Sequence, residues 1–184
     1  MEILILIIGL LISVVFHELA HGLTADKLGD ETPRLAGRLT LNPISHLDPI
    51  GSILLPFISY SLGGFIFGWA KPVPVNPLNF KNPKRDMAFV ALMGPLTNIA
   101  ISLILLSLLK ISLLINFAVN EGLILSLVRL NIVLAIFNLL PIPPLDGSRI
   151  FLSSLPLSVQ FYLEQFGFAL IILFIFLGFS IVNK

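Results

Sequence analysis

Five long apolar stretches, separated by short polar segments, dominate the pattern of the chain. They cover residues 3–23, 50–69, 87–109, 123–140 and 161–182. Each is close to the ~20 residues that an α-helix needs to cross ~30 Å of hydrocarbon. The pattern therefore predicts an all-α integral membrane protein whose apolar surface faces lipid or a neighbouring helix.

The second apolar stretch differs from the others. Residues 50–69 contain four glycines and a proline, which disfavour an uninterrupted helix. Basic residues flank it on both sides, at Lys27, Arg34, Arg38, Lys71, Lys81, Lys84 and Arg85. A single crossing would put one of these basic loops outside the cell, whereas basic loops favour the cytoplasm. We therefore expect a re-entrant element here and about four spanning helices, with both termini outside.

Composition supports this class and limits the chemistry. Of the 184 residues, 57% are hydrophobic and 11% are charged, against roughly one quarter charged in an ordinary soluble domain. A net charge of +1 argues against a nucleic-acid partner, and the lack of cysteine excludes disulfides and thiolate metal sites. The length fits a single domain over residues 1–184. Because no basic region precedes the first apolar stretch, we expect a retained helix and not a cleaved signal peptide.

A short polar and apolar alternation lies between the first two apolar stretches. Residues 34–43 contain the alternating run Arg38-Leu39-Thr40-Leu41, which Asn42-Pro43 closes. Such alternation predicts a short strand, and here a small β-hairpin. Residues 70–77 carry alternate prolines, so they predict an extended segment that cannot supply a full ladder of hydrogen bonds.

The strongest candidate for chemistry is the segment His17-Glu18-Leu19-Ala20-His21, near the end of the first apolar stretch. Histidines four residues apart lie only about 40° apart around a helix, so both can bind one Zn²⁺ at ~2.0–2.1 Å. Glu18 lies beside them, where it can take a proton from an activated water without being a ligand. The simpler interpretation, the polar end of a spanning helix, is less favoured because ionisable groups inside a membrane are costly and usually functional.

A catalytic zinc usually takes three protein ligands, and the chain offers few candidates for the third. They are His46, Glu121, Asp146 and Glu164. Asp146 follows three prolines that must end the fourth apolar stretch, so its carboxylate can turn inward, although Asp-Gly is also a common turn. His17 lies ~21 Å along the first helix, near its cytoplasmic end. We expect the fourth apolar stretch to end at the same face of the membrane, which places Asp146 at the depth of His17 and favours it as the third ligand. His46 instead fits a local turn with Asp48-Pro49.

Two asparagines in the later apolar stretches are further candidates. Asn98, in Gly94-Pro95-Leu96-Thr97-Asn98, lies ~15 Å into its helix, at a depth comparable to that of the metal, and Asn138 lies one helix away. Either amide could donate to a developing oxyanion or to an extended substrate backbone. The alternative is an interhelical hydrogen bond, which is equally compatible with Asn98 and is favoured for Asn138.

Together these motifs resemble those of the site-2 protease family of intramembrane zinc metalloproteases. Residues 17–21 match its helix-borne metal motif, and residues 138–147 look like its Asn-x-x-Pro…Leu-Asp-Gly motif. Residues 94–98 are similar to its Gly-Pro-x-x-Asn helix, and the three motifs occur in family order. The chain has no stretch long or polar enough for the PDZ module of some relatives, so it looks like a minimal form.

The resemblance implies an enzyme with one zinc per chain. It implies that His17, His21 and Asp146 bind the zinc and that Glu18 is the general base. It also implies a core of the three helices that carry the motifs, and a site near the cytoplasmic side of a bacterial or archaeal cell membrane. A non-catalytic membrane zinc-binding or transport protein is the alternative, but it would not need an acid beside its first ligand.

The resemblance also implies transmembrane proteins or peptides as substrates, and these must be unwound before cleavage. Unwinding in lipid leaves backbone groups without partners, at a cost of several kcal/mol per group. The alternating run around Leu39 could pair with the unwound segment as an added strand, supplemented by the amide of Asn98.

Overall fold

The computed structural model describes residues 2–63 and 68–151, together with residues 159, 162, 163, 165–167 and 169. This part of the chain is mostly helical. The helices are α1 (Glu2–Lys27), α2 (Thr32–Leu35), α3 (Leu55–Gly63), α4 (Pro83–Leu114), α5 (Glu121–Asn138) and α6 (Asp146–Phe151). Two short 3-10 helices and one π-helix lie between them, at Pro43–His46, Pro77–Asn79 and Pro49–Leu54.

Among the residues that the structure describes, three helices are long and apolar enough to cross a membrane. They are Leu4–Lys27 within α1, Pro83–Leu114 (α4) and Glu121–Asn138 (α5). Helix α4 packs against both α1 and α5, and α1 also contacts α5. Polar side chains such as Asn98 and Asn131 are buried, while Leu103 and Ile104 are exposed. This pattern confirms a mostly helical membrane protein; the spanning segment predicted over residues 161–182 lies largely outside the described residues.

No strand forms among the residues that the structure describes, so the β-hairpin predicted over residues 34–43 is not confirmed. The physical reason lies in the neighbouring extended segment. Pro72 and Pro74 have no N–H to donate, so this segment cannot complete a ladder. A side chain makes the link instead, because Arg38 Nη2 donates to the carbonyl of Lys71 at 2.6 Å.

The two ends of the second apolar stretch lie side by side. The N–H of Trp69 donates to the carbonyl of Gly51 at 3.0 Å, and the N–H of Lys71 donates to that of His46 at 2.9 Å. Gly51 is needed here because a Cβ at this position would overlap the indole of Trp69. A straight crossing would separate these ends by ~30 Å. The two described ends of the stretch therefore lie together, as a re-entrant element requires, and the re-entrant element itself stays a prediction.

Asp30 fixes the polar loops at the end of α1. Its fully buried carboxylate accepts hydrogen bonds from the N–H of Asn76 and the amide of Asn79, both at 2.7 Å, and from the N–H of Thr32 at 3.1 Å. Burial alone would raise the pKa of Asp30, but these donors favour the ionised form and lower its pKa below the usual range. This clamp holds the extended segment of residues 70–77 beside α1.

Candidate active site

Three side chains from two helices converge at one point. His17 and His21 lie one turn apart on α1, and Asp146 is the first residue of α6. The Nε2 atoms of the two histidines are 3.1 Å apart. Asp146 Oδ2 lies 3.1 Å from Nε2 of His17 and 3.2 Å from Nε2 of His21. In the part of the chain that the structure describes, these residues form the one group able to hold a metal ion.

The turn between α5 and α6 carries Asp146 into the site. Helix α5 ends at Asn138, and the prolines that follow prevent it from continuing. Gly147 then lies against the carbonyl of Leu139, where a Cβ would not fit. The glycine therefore lets the chain fold back over the end of α5. Because α6 also packs against α4, the carboxylate of Asp146 faces the histidines of α1.

Hydrogen bonds behind the two imidazoles determine which nitrogen faces the site. Nδ1 of His17 donates to Oδ1 of Asn98 at 2.6 Å, and Nδ1 of His21 donates to the carbonyl of Val90 at 2.7 Å. Because a carbonyl oxygen can only accept, each neutral imidazole carries its hydrogen on Nδ1 and presents a lone pair on Nε2. Such backing orients metal-binding histidines and fixes their tautomer.

The geometry of these donors fits a zinc ion. Ligands ~2.0–2.1 Å from a tetrahedral zinc lie about 3.3 Å apart, close to the observed separations of 3.1–3.2 Å. Asp146 Oδ2 is buried without a hydrogen-bond partner, as an oxygen reserved for a cation would be. Gly94 keeps the space open, because a Cβ there would lie against both Nε2 atoms, 2.6 Å from that of His17.

Glu18 lines a cavity beside the ligands. The cavity has a volume of about 520 Å³, and its walls come from α1, α5, the start of α6 and residues 68–75. Oε2 of Glu18 accepts a hydrogen bond from the N–H of Val73 at 2.8 Å. Because Pro72 and Pro74 have no N–H, the donor of Val73 is the one that this short run can offer. The carboxylate is thus held at the cavity wall, where a general base is needed.

Asn98 lies behind His17 and does not line the cavity. Its Oδ1 accepts from His17, and its Nδ2 donates to Oδ1 of Asn131 at 3.0 Å. Both atoms of the amide are therefore engaged inside the protein. Of the two interpretations that the sequence left open for Asn98, this placement favours the interhelical hydrogen bond over a donor to substrate.

The other candidates occupy different surroundings. Asn138 lines the cavity, and its Nδ2 donates to the carbonyl of Leu134 at 3.0 Å. Leu39 packs over Gly22 of α1 and does not line the cavity. Substrate contacts of Asn138 and Leu39 stay predictions. His46 is buried outside the ligand group, and its Nε2 donates to the carbonyl of Thr40 at 2.9 Å, in the local role that the sequence favoured.

Two contributors to the site were not predicted from the sequence. Asn131 stands in an apolar helix seven residues before Asn138, and a buried amide in such a helix was a signal that could have identified it. Val73 gave no signal, because it contributes a backbone N–H that every residue except proline has.

Two histidines on one helix and an aspartate from a second helix form a group that could hold a zinc ion, and an adjacent glutamate is typical of zinc metallopeptidases. Comparison with known proteins agrees. The model of Peptidase family M50 matches residues 5–123 and 116–176, which is most of the chain. The chain therefore belongs to Peptidase family M50, and the resemblance to site-2 proteases is confirmed. It is a zinc metalloprotease, and not the non-catalytic zinc protein considered as the alternative.

Named relatives support the same activity. The chain is 40% identical over 173 residues to "Putative zinc metalloprotease YwhC" of Bacillus subtilis (strain 168), covering 89% of this chain and 76% of that protein. It is 34% identical over 145 residues to "Putative zinc metalloprotease Rip2" of Mycolicibacterium smegmatis, covering 78% of this chain. The match spans 54% of that Rip2 protein, about half its length. No solved structure matches the chain.

Proposed function

We propose that this protease hydrolyses peptide bonds in or near transmembrane segments of other membrane proteins. The observation that carries the proposal is the position of the ligands. His17 and His21 belong to α1, which is apolar enough to span a membrane, and they line a cavity bounded by helices. A substrate segment that reaches such a cavity from the bilayer must be apolar enough to enter the bilayer.

The residues of the site divide the chemistry between them. When bound, zinc supplies a Lewis acid that polarises the scissile carbonyl and activates water. Glu18 takes the proton from the attacking water and returns it to the leaving amine, so one carboxylate serves as base and then as acid. The N–H of Val73 holds Oε2 of Glu18 and leaves Oε1 for the proton. Asn98 and the carbonyl of Val90 keep both imidazoles in the orientation that binds metal.

The extended wall of residues 68–75 supports a way of binding an unwound substrate. Among the described residues, the N–H groups of Ala70 and Val75 have no hydrogen-bond partner, and both residues line the cavity. A substrate segment lying along this wall would pair with them and so recover part of the cost of unwinding. The N–H groups of residues 39–41 are also unpaired, but these residues do not line the cavity. Residues 39–41 are therefore a second candidate segment for pairing with the substrate backbone.

We further propose a multi-pass protein in the cell membrane with its site toward the cytoplasm. The support comes from the basic loops that flank residues 50–69. Arg38 is hydrogen-bonded to the backbone of Lys71, so the two loops lie together beside α1. Basic loops favour the cytoplasmic side. In this arrangement the partners are the bilayer and transmembrane substrates.

The test is cleavage of a detergent-solubilised transmembrane peptide by the purified protein, with a soluble unstructured peptide as a second substrate. We expect the transmembrane peptide to be cut, and cutting to stop on chelation. Glu18→Gln should lower kcat by roughly 10²–10⁴ while retaining zinc, because it removes the proton acceptor and no ligand. Cleavage of the soluble peptide alone would contradict intramembrane proteolysis and leave the metalloprotease assignment intact.

A further inference from the structure

Two buried amides connect α4 and α5 behind the metal ligands. Asn98 is 0% exposed and Asn131 is 1% exposed, and each stands in a long apolar helix. Burying an amide costs free energy unless its donors and acceptors find partners. Here the two amides bond to each other, with Asn98 Nδ2 donating to Asn131 Oδ1 at 3.0 Å.

The direction of these hydrogen bonds is fixed from the far end. Asn131 Nδ2 donates to the backbone carbonyl of Leu127 at 3.0 Å, and that carbonyl can only accept. Oδ1 of Asn131 must therefore face Asn98, which turns Nδ2 of Asn98 toward it. Oδ1 of Asn98 is left to face Nδ1 of His17, 2.6 Å away. Rotating either amide by half a turn would place two donors or two acceptors face to face.

The two histidines differ in the kind of group that accepts the hydrogen bond from Nδ1. His21 bonds to the backbone carbonyl of Val90, which cannot exchange its acceptor for a donor. His17 bonds to a side-chain amide, which presents an acceptor or a donor depending on how it is turned. A donor facing Nδ1 would favour the tautomer with its hydrogen on Nε2, and Nε2 would then have no lone pair to offer the metal. The backing of His17 therefore needs a second group that fixes the orientation of Asn98.

We propose that Asn131 is that group: it is a positioning residue, remote from the cavity, that sets the tautomer of His17 through Asn98 and so raises the affinity for zinc. Asn131 does not line the cavity and is not one of the metal ligands. Its effect passes through two hydrogen bonds and requires no movement of the helices.

A structural role at the same interface can be separated from this one. Ser102 lies one turn along α4, is also buried, and bonds the carbonyls of Asn98 at 3.1 Å and Val128 at 3.3 Å. It links α4 to α5 as Asn131 does, but its hydrogen bonds go to backbone carbonyls and not to the side-chain amide of Asn98. Ser102→Ala is therefore the matched control for loss of an interhelical hydrogen bond.

The experiment measures zinc affinity and histidine tautomer instead of turnover. Zinc dissociation constants come from competition with a chelator, and tautomers come from ¹⁵N chemical shifts of labelled histidine in the metal-free protein. We expect Asn131→Leu to weaken zinc binding by about 10–100-fold, the range typical of groups that back metal ligands, and Ser102→Ala to change it less than about twofold. In Asn131→Leu, we expect the Nε2–H form of His17 to become populated.

A double variant tests the direction of the effect. In Asn131→Leu/Asn98→Asp, the carboxylate presents an acceptor to His17 however it is turned, so Asn131 is no longer needed. We expect zinc affinity to return toward that of the wild type. Equal zinc affinities for Asn131→Leu and Ser102→Ala, or no recovery in the double variant, would overturn the proposal. If Asn131→Leu does not fold, the wild type still decides, because an Nε2–H tautomer of His17 in the metal-free protein contradicts the inference.

Discussion

At the scale of single residues, zinc content should distinguish the three candidate ligands from His46, which has a structural role. We expect His17→Ala, His21→Ala and Asp146→Ala each to lower zinc content well below one per chain, because each removes one of three ligands. His46→Ala should retain zinc, since its side chain bonds the Thr40 carbonyl away from the ligand group. Elemental analysis of the purified variants checks this. Zinc loss in His46→Ala together with full loading of Asp146→Ala would reverse the ligand assignment.

A second prediction at this scale concerns Gly94, which lies against the metal-binding histidines. A Cβ at this position would lie where the metal must sit, against Nε2 of His17 and His21. Gly94→Ala should therefore reduce zinc binding even though alanine favours a helix by about 1 kcal/mol.

Gly122→Ala in α5 is the control for this substitution, because its Cβ would meet just one atom, 3.5 Å away on Asn120. Zinc content and circular dichroism of both variants separate loss of the site from loss of the helix. Normal zinc content in Gly94→Ala would show that the metal lies elsewhere.

At the scale of elements, Asp30 joins the end of α1 to the loop before α4. Asp30→Asn removes one acceptor and the negative charge, and should cost about 1–3 kcal/mol of stability at neutral pH. Because the folded protein lowers the pKa of Asp30, its contribution is complete above the usual value of about 3.9 and is lost as the pH falls through the lower folded value. The melting temperature of the wild type should thus exceed that of Asp30→Asn at neutral pH, and this difference should disappear below about pH 4.

The exposed neighbour Glu31 provides the control, because its side chain caps no helix. Glu31→Gln should unfold like the wild type at neutral pH. An advantage of the wild type over Asp30→Asn that persists unchanged into strong acid would contradict the role of the ionised carboxylate.

The two extended segments give a second prediction at this scale. Ala70→Pro and Leu39→Pro each remove one unpaired N–H, but the Ala70 donor lies at the cavity wall. We expect Ala70→Pro to raise KM for a transmembrane substrate more than Leu39→Pro does, with zinc content unchanged in both. Ala70→Gly and Leu39→Ala, which keep the N–H, are the matched controls. A larger effect of Leu39→Pro would assign substrate pairing to residues 39–41.

At the scale of the whole molecule, the predicted re-entrant course of residues 50–69 sets the expected orientation of every later helix. The chain has no cysteine, so single cysteines can be labelled with a membrane-impermeant reagent in oriented vesicles. Cysteines at the exposed positions Ala36 and Leu78 should label from the cytoplasmic side, and one at Ala118, between α4 and α5, from the opposite side. Labelling of Ala36→Cys and Leu78→Cys from opposite faces would mean that the stretch crosses the membrane.

The sequence by itself determined the class of protein and the chemistry that the site can perform. Apolar stretches of spanning length predict membrane helices because lipid offers no partner for an unpaired backbone. The spacing of His17, Glu18 and His21 defined a metal-binding helix face, since both imidazoles of an i, i+4 pair reach one ion. Both results depend on local periodicity, which is written directly in the order of residues.

Tertiary structure alone decided what surrounds that helix face. The predicted strand did not form because Pro72 and Pro74 cannot complete a ladder, and the single N–H between them bonds Glu18 instead. Asn98 turned toward His17 because Asn131, 33 residues away, fixes its orientation. Contacts between distant segments depend on how the helices pack and where backbone groups point. Neither of these produces a periodic pattern in the sequence.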